Sequence, residues 1–125
     1  MNIDALVTTD GNQDRQVFDW GEIVWLDSQD HTGTDALTVG KVTIRPDKRN
    51  AEHYHPNCDE SLYLLSGELE HTIGEEATTL TAGDLIHILE GDRHQATNTG
   101  SEDAVAIIVY DTGTRDIEFV DADSE

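Results

Sequence analysis

The chain reads as an all-β fold, a sandwich or a barrel, and three observations lead there. No stretch of 11 or more residues carries a helical period of apolar positions. Instead, roughly nine or ten short apolar or alternating runs are divided by Gly, Asp and Asn turns. The length of 125 residues suits one domain with a single core, which is enough for a small barrel.

Taken in order, residues 1–16 are polar, with Asp10-Gly11-Asn12 as turn chemistry, and predict a loosely held N-terminal arm. The region Val17 to Leu26 is the first with strand-like content and carries both tryptophans, Trp20 and Trp25. It is expected to cap the barrel or to pack on a second subunit. Asp27 to Asp35 predicts a polar loop with His31 exposed to solvent.

From Leu37 to Arg45 the chain alternates, with Gly40, Val42 and Ile44 on one face and Lys41, Thr43 and Arg45 on the other, until Pro46 ends the strand. Lys41 and Arg45 read as surface cations, in keeping with the preference of both side chains for water. Were their face to line a pocket, they would recognise an anionic substrate.

After the Pro46-Asp47 turn comes the stretch that carries chemistry, His53-Tyr54-His55-Pro56-Asn57-Cys58-Asp59-Glu60. Side chains two apart in a strand share a face, so His53 and His55 project together, with Tyr54 turned away. The same period puts Glu60 beside Leu62 and Leu64, a carboxylate on an apolar wall with no Lys or Arg near it in sequence. A buried carboxylate needs a cation or hydrogen-bond donors. Ser66-Gly67 predicts a tight hairpin turn into Glu68–Ile73, where Leu69, His71 and Ile73 share the inward face.

Gly74-Glu75-Glu76 turns the chain into a strand over Ala77–Leu80, and Thr81 to Asp84 turns it again. Leu85–Ile88 is a short apolar strand with His87 on its outer face. Glu90-Gly91-Asp92 is a turn, and His94 opens the next strand. Ala104–Tyr110 is continuously apolar, which predicts burial on both faces. Ile117–Val120 adds a last short strand before the acidic end, Asp121–Glu125, frays. The sequence shows no internal repeat, low-complexity tract or linker.

Two spaced patterns emerge: H-x-H-x4-E-x6-G at His53, His55, Glu60 and Gly67, and G-x5-L-x-G-x2-H-x3-N at Gly83, Leu89, Gly91, His94 and Asn98. Together they resemble the two motifs of the cupin superfamily. Two turn positions depart from that pattern: Asp47 stands where the family has Gly, and Leu89 where it has Pro. The resemblance covers roughly Leu37 to Tyr110. It implies a double-stranded β-helix, or jelly-roll barrel, with a metal in its mouth held by His53, His55, Glu60 and His94, and a homodimer of the kind common in the family. Tyr63 and Leu65 would then form an outward apolar strip that needs a cover.

Three imidazoles and a carboxylate leave an octahedral ion two open positions, a catalytic rather than a closed structural arrangement. The ligand set suits one divalent transition metal, Fe, Mn, Ni or Zn, without choosing among them. Partners behind the metal ligands would have to orient the imidazoles; Asp59, Glu68 and Asp84 are candidates, against the plainer reading of most nearby carboxylates as solvated surface charge. His71 is a further candidate for acid/base work against the plainer reading of a packing histidine. Cys58 reads as a small buried or rim thiol.

Seven Lys plus Arg against 27 Asp plus Glu give a net charge of -20, with Lys41 and Lys48 the only lysines. Such a surface repels nucleic acid and anionic membranes and leaves a small-molecule ligand or substrate as the expected partner. Excess carboxylate with scarce lysine resembles proteins of salt-accumulating archaea, which implies a halophilic archaeal source. One cysteine excludes an intrachain disulfide, no apolar run approaches the ~20 residues of a membrane span, and Met1 to Leu6 lack the pattern of a signal peptide. A cytoplasmic protein is expected.

Two functional classes follow. One is a small metal-dependent enzyme on a small polar metabolite: an oxygenase, or an isomerase, epimerase or lyase on a sugar or keto acid. The other is a binding or sensory barrel that holds a metal or a sugar-like ligand without turnover.

Overall fold

The computed structural model describes residues 2–9 and 14–121. The expected turn at Asp10-Gly11-Asn12 and most of the acidic end lie outside the described residues. Eleven strands are present among the described residues: β1 (Asp14–Phe18), β2 (Gly21–Asp27), β3 (Thr38–Ile44), β4 (His53–Tyr54), β5 (Glu60–Ser66), β6 (Glu68–Ile73), β7 (Glu76–Thr81), β8 (Leu85–Ile88), β9 (His94–Asn98), β10 (Ala104–Tyr110) and β11 (Glu118–Phe119). Among the described residues, helix is confined to a 3-10 turn at Ile3–Leu6 and a single α turn, α1 (Gln29–Thr32). Among the same residues no helix is long and apolar enough to cross a membrane.

The strands form two antiparallel sheets, a six-stranded one in the order β1-β2-β3-β10-β5-β8 and a five-stranded one in the order β11-β4-β9-β6-β7. This is the expected jelly-roll arrangement. Between the sheets lie Leu64, Leu69, Ile44, Ala106 and Ile108, each 3% exposed or less. The predicted alternation of β3 is observed: Val42 and Ile44 are buried while Lys41 is exposed. On β5, Glu60, Leu62 and Leu64 are buried together, as the period of two requires.

Several expectations need correction. The strand-like region Val17–Leu26 is divided by a turn at Asp19-Trp20, which makes a hairpin of β1 and β2 at the edge of the larger sheet. Ser66-Gly67 is not a hairpin turn. β5 and β6 belong to different sheets, so the chain crosses the barrel there. Gly67 has φ 86°, and a Cβ on it would lie 2.7 Å from Ala104 Cα, so only glycine allows the crossing. β10 is buried on one face only. Its outer residues Val105, Ile107 and Val109 are half-buried, because β10 sits in mid-sheet but nothing covers its outer side completely.

His31 is also less exposed than expected. α1 tucks it back so that its Nδ1 lies 2.6 Å from Ser28 Oγ, leaving the side chain 16% exposed. Tyr63 and Leu65 do face outward, at 41% and 46% exposure.

Asp47 explains how the chain manages without glycine at that motif position. It takes φ 65°, the left-handed region that Asp tolerates better than most residues, and its N–H donates to Asn98 O at 3.2 Å.

Candidate metal centre

The five-stranded sheet supplies the imidazoles and the six-stranded sheet the carboxylate. His53 on β4 is paired in register with His94, the first residue of β9, and their ring centroids lie 4.2 Å apart. His55 follows just past the end of β4, 4.9 Å from His53. Glu60, the first residue of β5, reaches across from the other sheet. His53, His55, Glu60 and His94 are all buried, and one ligand atom from each lies within 4.8 Å of the others. The four residues singled out in the sequence are thus brought together at one point.

The imidazoles are oriented by main-chain carbonyls and not by the candidate carboxylates Asp59, Glu68 and Asp84. His53 Nδ1 lies 2.8 Å from Ala51 O, His55 Nδ1 2.8 Å from Asp116 O, and His94 Nδ1 2.8 Å from Asp92 O. Asp59 instead pairs with His87 at 3.0 Å and accepts from Glu90 N, Glu68 accepts from Thr99 Oγ1, and Asp84 accepts from Thr81 N. His87 is correspondingly on the outer face, tied to Asp59 and 3.1 Å from Ser61 Oγ.

A carbonyl oxygen only accepts, so each Nδ1 must carry the proton. In the neutral ring every Nε2 then presents a lone pair inward. His94 Nε2 lies 3.1 Å and His55 Nε2 3.2 Å from the same oxygen, Glu60 Oε1, and His55 Nε2 is buried without a hydrogen-bond partner. Two lone pairs and a carboxylate oxygen crowded this closely repel one another unless a cation sits among them. The donor set therefore fits a divalent metal.

The titration behaviour shows the same crowding. Burial, with help from the neighbouring His94, lowers His53 to about 3. Burial works against charge on His94 too, but the Glu60 carboxylate outweighs it and raises that imidazole. For Glu60 burial pushes upward, and the His55 and His94 imidazoles overcome it, leaving the carboxyl well below its usual range.

Next to the cluster is a cavity of about 220 Å³. His53, Glu60, His71 and His94 form one part of its wall, and apolar or aromatic side chains such as Phe18, Trp20, Ile44, Leu62, Ile108 and Phe119 form most of the rest. His71, from β6, stacks on His94 with centroids 5.8 Å apart and is not among the four converging residues. Its Nδ1 is buried without a partner, and burial followed by the charge of His94 lowers it to about 4. Cys58 is buried, and burial pushes its thiol up to about 11, which leaves it an inert packing residue.

The short strand expected at Ile117–Val120 is present as β11, but the part that the segment after β10 plays at the site was not legible in the sequence. Residues 111–119 supply the carbonyl that orients His55, the cavity residues Arg115, Ile117 and Phe119, and a strand that pairs with β4. A carbonyl contact leaves no signature in side-chain identity. The aromatic content around Trp20 was the one signal that the hairpin covers the barrel.

The Cupin domain family (Cupin_2) matches residues 40–110, more than half of the chain. The chain belongs to the cupin family. It is 32% identical over 69 residues to the tetracenomycin polyketide synthase protein TcmJ of Streptomyces glaucescens, a match over 55% of this chain and 46% of that one. It is 36% identical over 72 residues to the polyketide synthase protein CurC of Streptomyces cyaneus, covering 58% of this chain and 47% of that one. The cupin chain thus spans about half the length of these two relatives. Its fold is similar to oxalate decarboxylase from Bacillus subtilis, with a TM-score of 0.79 at 21% identity over 86% of this chain and 30% of that one. The Lactobacillus farciminis oxalate decarboxylase in its formate complex gives a TM-score of 0.80 at 19% identity, over 88% of this chain and 34% of that one.

Proposed function

We propose that this cupin is a metal-dependent enzyme acting on a small, largely apolar molecule that carries an oxygen function. His53, His55, Glu60 and His94 hold one divalent transition metal. The observation that carries this reading is the convergence of inward Nε2 lone pairs on Glu60 Oε1 beside the cavity. Such an ion would supply Lewis acidity at an oxygen function of the substrate.

The protein's own groups then bind and orient. The aromatic walls from Phe18, Trp20 and Phe119 favour a flat apolar body over the sugar or keto acid expected from the sequence. The similarity to two polyketide synthase proteins supports the same choice, since it links this barrel to oxygen-bearing apolar molecules. His71, neutral at pH 7 with an unpartnered Nδ1, is the residue that would take or return a proton at the substrate.

Oxygen uptake and isomerisation by metal-reconstituted protein would be followed across aromatic hydroxyketones, catechols, sugars and keto acids. Turnover confined to the aromatic members, and abolished in Glu60→Gln, is expected. Turnover of sugars alone would overturn the substrate reading. Silence across the panel, with a ligand still raising the melting temperature, would replace the enzyme by a non-catalytic binding cupin. The same reading carries a homodimer, because Tyr63, its cross-strand partner Leu85 and nearby Leu65 leave an apolar strip uncovered. Sedimentation as a monomer would remove it.

A further inference from the structure

Arg115 stands out in a chain with 27 carboxylates and seven basic side chains. It lines the cavity beside the metal-site residues, yet it takes part in no ion pair among the described residues. Its guanidinium carbon instead lies 4.5 Å from the centroid of Trp25 and 5.3 Å from that of Tyr110. Aromatic faces attract the cation without neutralising it or occupying its N–H donors. Arg115 also lines a second cleft with Trp25, Asp14, Asp30 and Asp116, and it forms an ion pair with none of these carboxylates.

The position is fixed from both sides. Asn57 Nδ2 donates to Thr114 O at 2.9 Å, and Asp116 N donates to Asn57 Oδ1 at 2.8 Å, so one amide clamps the residues that flank Arg115. Trp25 is buried and its indole N–H donates to Gln16 Oε1 at 3.3 Å. Tyr110 is buried too, with its ring centroid 4.9 Å from that of His55, which places the guanidinium one aromatic ring away from the metal cluster. The two cations that the sequence offered for anion recognition lie elsewhere: Lys41 is exposed, and Arg45 donates to Asp19 O.

We infer that Arg115 forms an anion subsite of the metal cavity, and that the substrate is an apolar or aromatic molecule bearing a carboxylate or a comparable planar anion. The planar fork of the guanidinium matches a carboxylate with two parallel hydrogen bonds. The apolar body then packs on the aromatic walls, with its oxygen function toward the four ligands. This assignment rests on the reading of the cavity as the substrate site, but the charge preference belongs to Arg115 and not to the ion.

The test pairs naphthalene-2-carboxylate with its uncharged primary amide, bound to the full chain in a salt concentration at which it is folded and followed by tryptophan quenching. The carboxylate is expected to bind about tenfold or more tightly than the amide, with metal and after EDTA treatment alike, as charged hydrogen bonds are the stronger. Arg115→Gln erases that preference, while Arg115→Lys keeps part of it, a split that loss of packing alone would not produce. Equal binding of the two probes to wild type, binding of neither at millimolar concentration, or a preference unchanged in Arg115→Gln would each overturn the assignment. A preference that appears only in metal-loaded protein and survives Arg115→Gln would transfer it to the ion. Failure of the metal reading shows separately, as absence of bound metal with the carboxylate preference intact.

Discussion

Asn98 closes the second motif, and its replacement should be among the most damaging single changes outside the metal cluster. The side chain is 1% exposed and fully bonded: Nδ2 donates to Ile44 O and to Glu102 O, both at 2.8 Å, and Oδ1 accepts from Gly100 N at 2.8 Å. It thereby ties the end of β3 in one sheet to β9 in the other. Asn98→Ala removes three hydrogen bonds at a fully buried site, one of them to the carbonyl of the buried Ile44. At about 1 kcal/mol per bond, the loss comes to roughly 3 kcal/mol. For a chain of this size that corresponds to a fall in melting temperature of roughly 10–20 °C. Urea titration of the variant and of Asn98→Asp would measure it, and the aspartate should fare no better because it turns a carboxylate toward two carbonyl oxygens. A cost below about 1 kcal/mol for Asn98→Ala would refute the reasoning.

Three further outcomes follow from the same structure. Gly67→Ala should cost about 1–2 kcal/mol from the left-handed backbone alone, and more from the contact with Ala104, whereas Gly74→Ala, also at positive φ but with open space around it, should show only the backbone part; equal urea midpoints would contradict the tight crossing. The metal-free protein should lose stability as pH falls from about 6.5 toward 4, because burial holds His53 near 3 and His71 near 4 while the unfolded chain takes up those protons; His94, raised in the folded state, opposes the trend, and a urea midpoint that rises between pH 7 and pH 5 would refute it. Finally, with a net charge of -20, the melting temperature should rise on going from low salt to molar KCl, where the Debye length shrinks to roughly 3 Å; an unchanged melt would show that self-repulsion costs the fold little.

What the sequence disclosed depended on whether side-chain identity or main-chain geometry carried the feature. The period of two placed Glu60 with Leu62 and Leu64, turned Leu69 and His71 inward, and made His53 and His55 neighbours, because strand geometry maps spacing directly onto faces. Sheet membership was not legible in the same way. Ser66-Gly67 has the composition of a hairpin turn, yet the chain crosses to the other sheet there, and the glycine answers both to its left-handed backbone and to the contact with Ala104, distant in sequence. The carbonyls behind the imidazoles were invisible for a related reason, as every residue has one. Arg115 was passed over because a single basic residue in an acidic loop has no periodic signal, and its aromatic neighbours come from β2 and β10.

The most direct test of the account is the metal content of the purified chain after equilibration with Fe, Mn, Ni and Zn in turn, measured for wild type and for Glu60→Gln and His53→Ala. About one tightly held divalent ion per chain in wild type, retained through dialysis and lost from both variants, is the expected result. Wild type emerging free of metal from all four, or the variants holding as much as the parent, would show that the imidazoles and Glu60 meet for some purpose other than ligation.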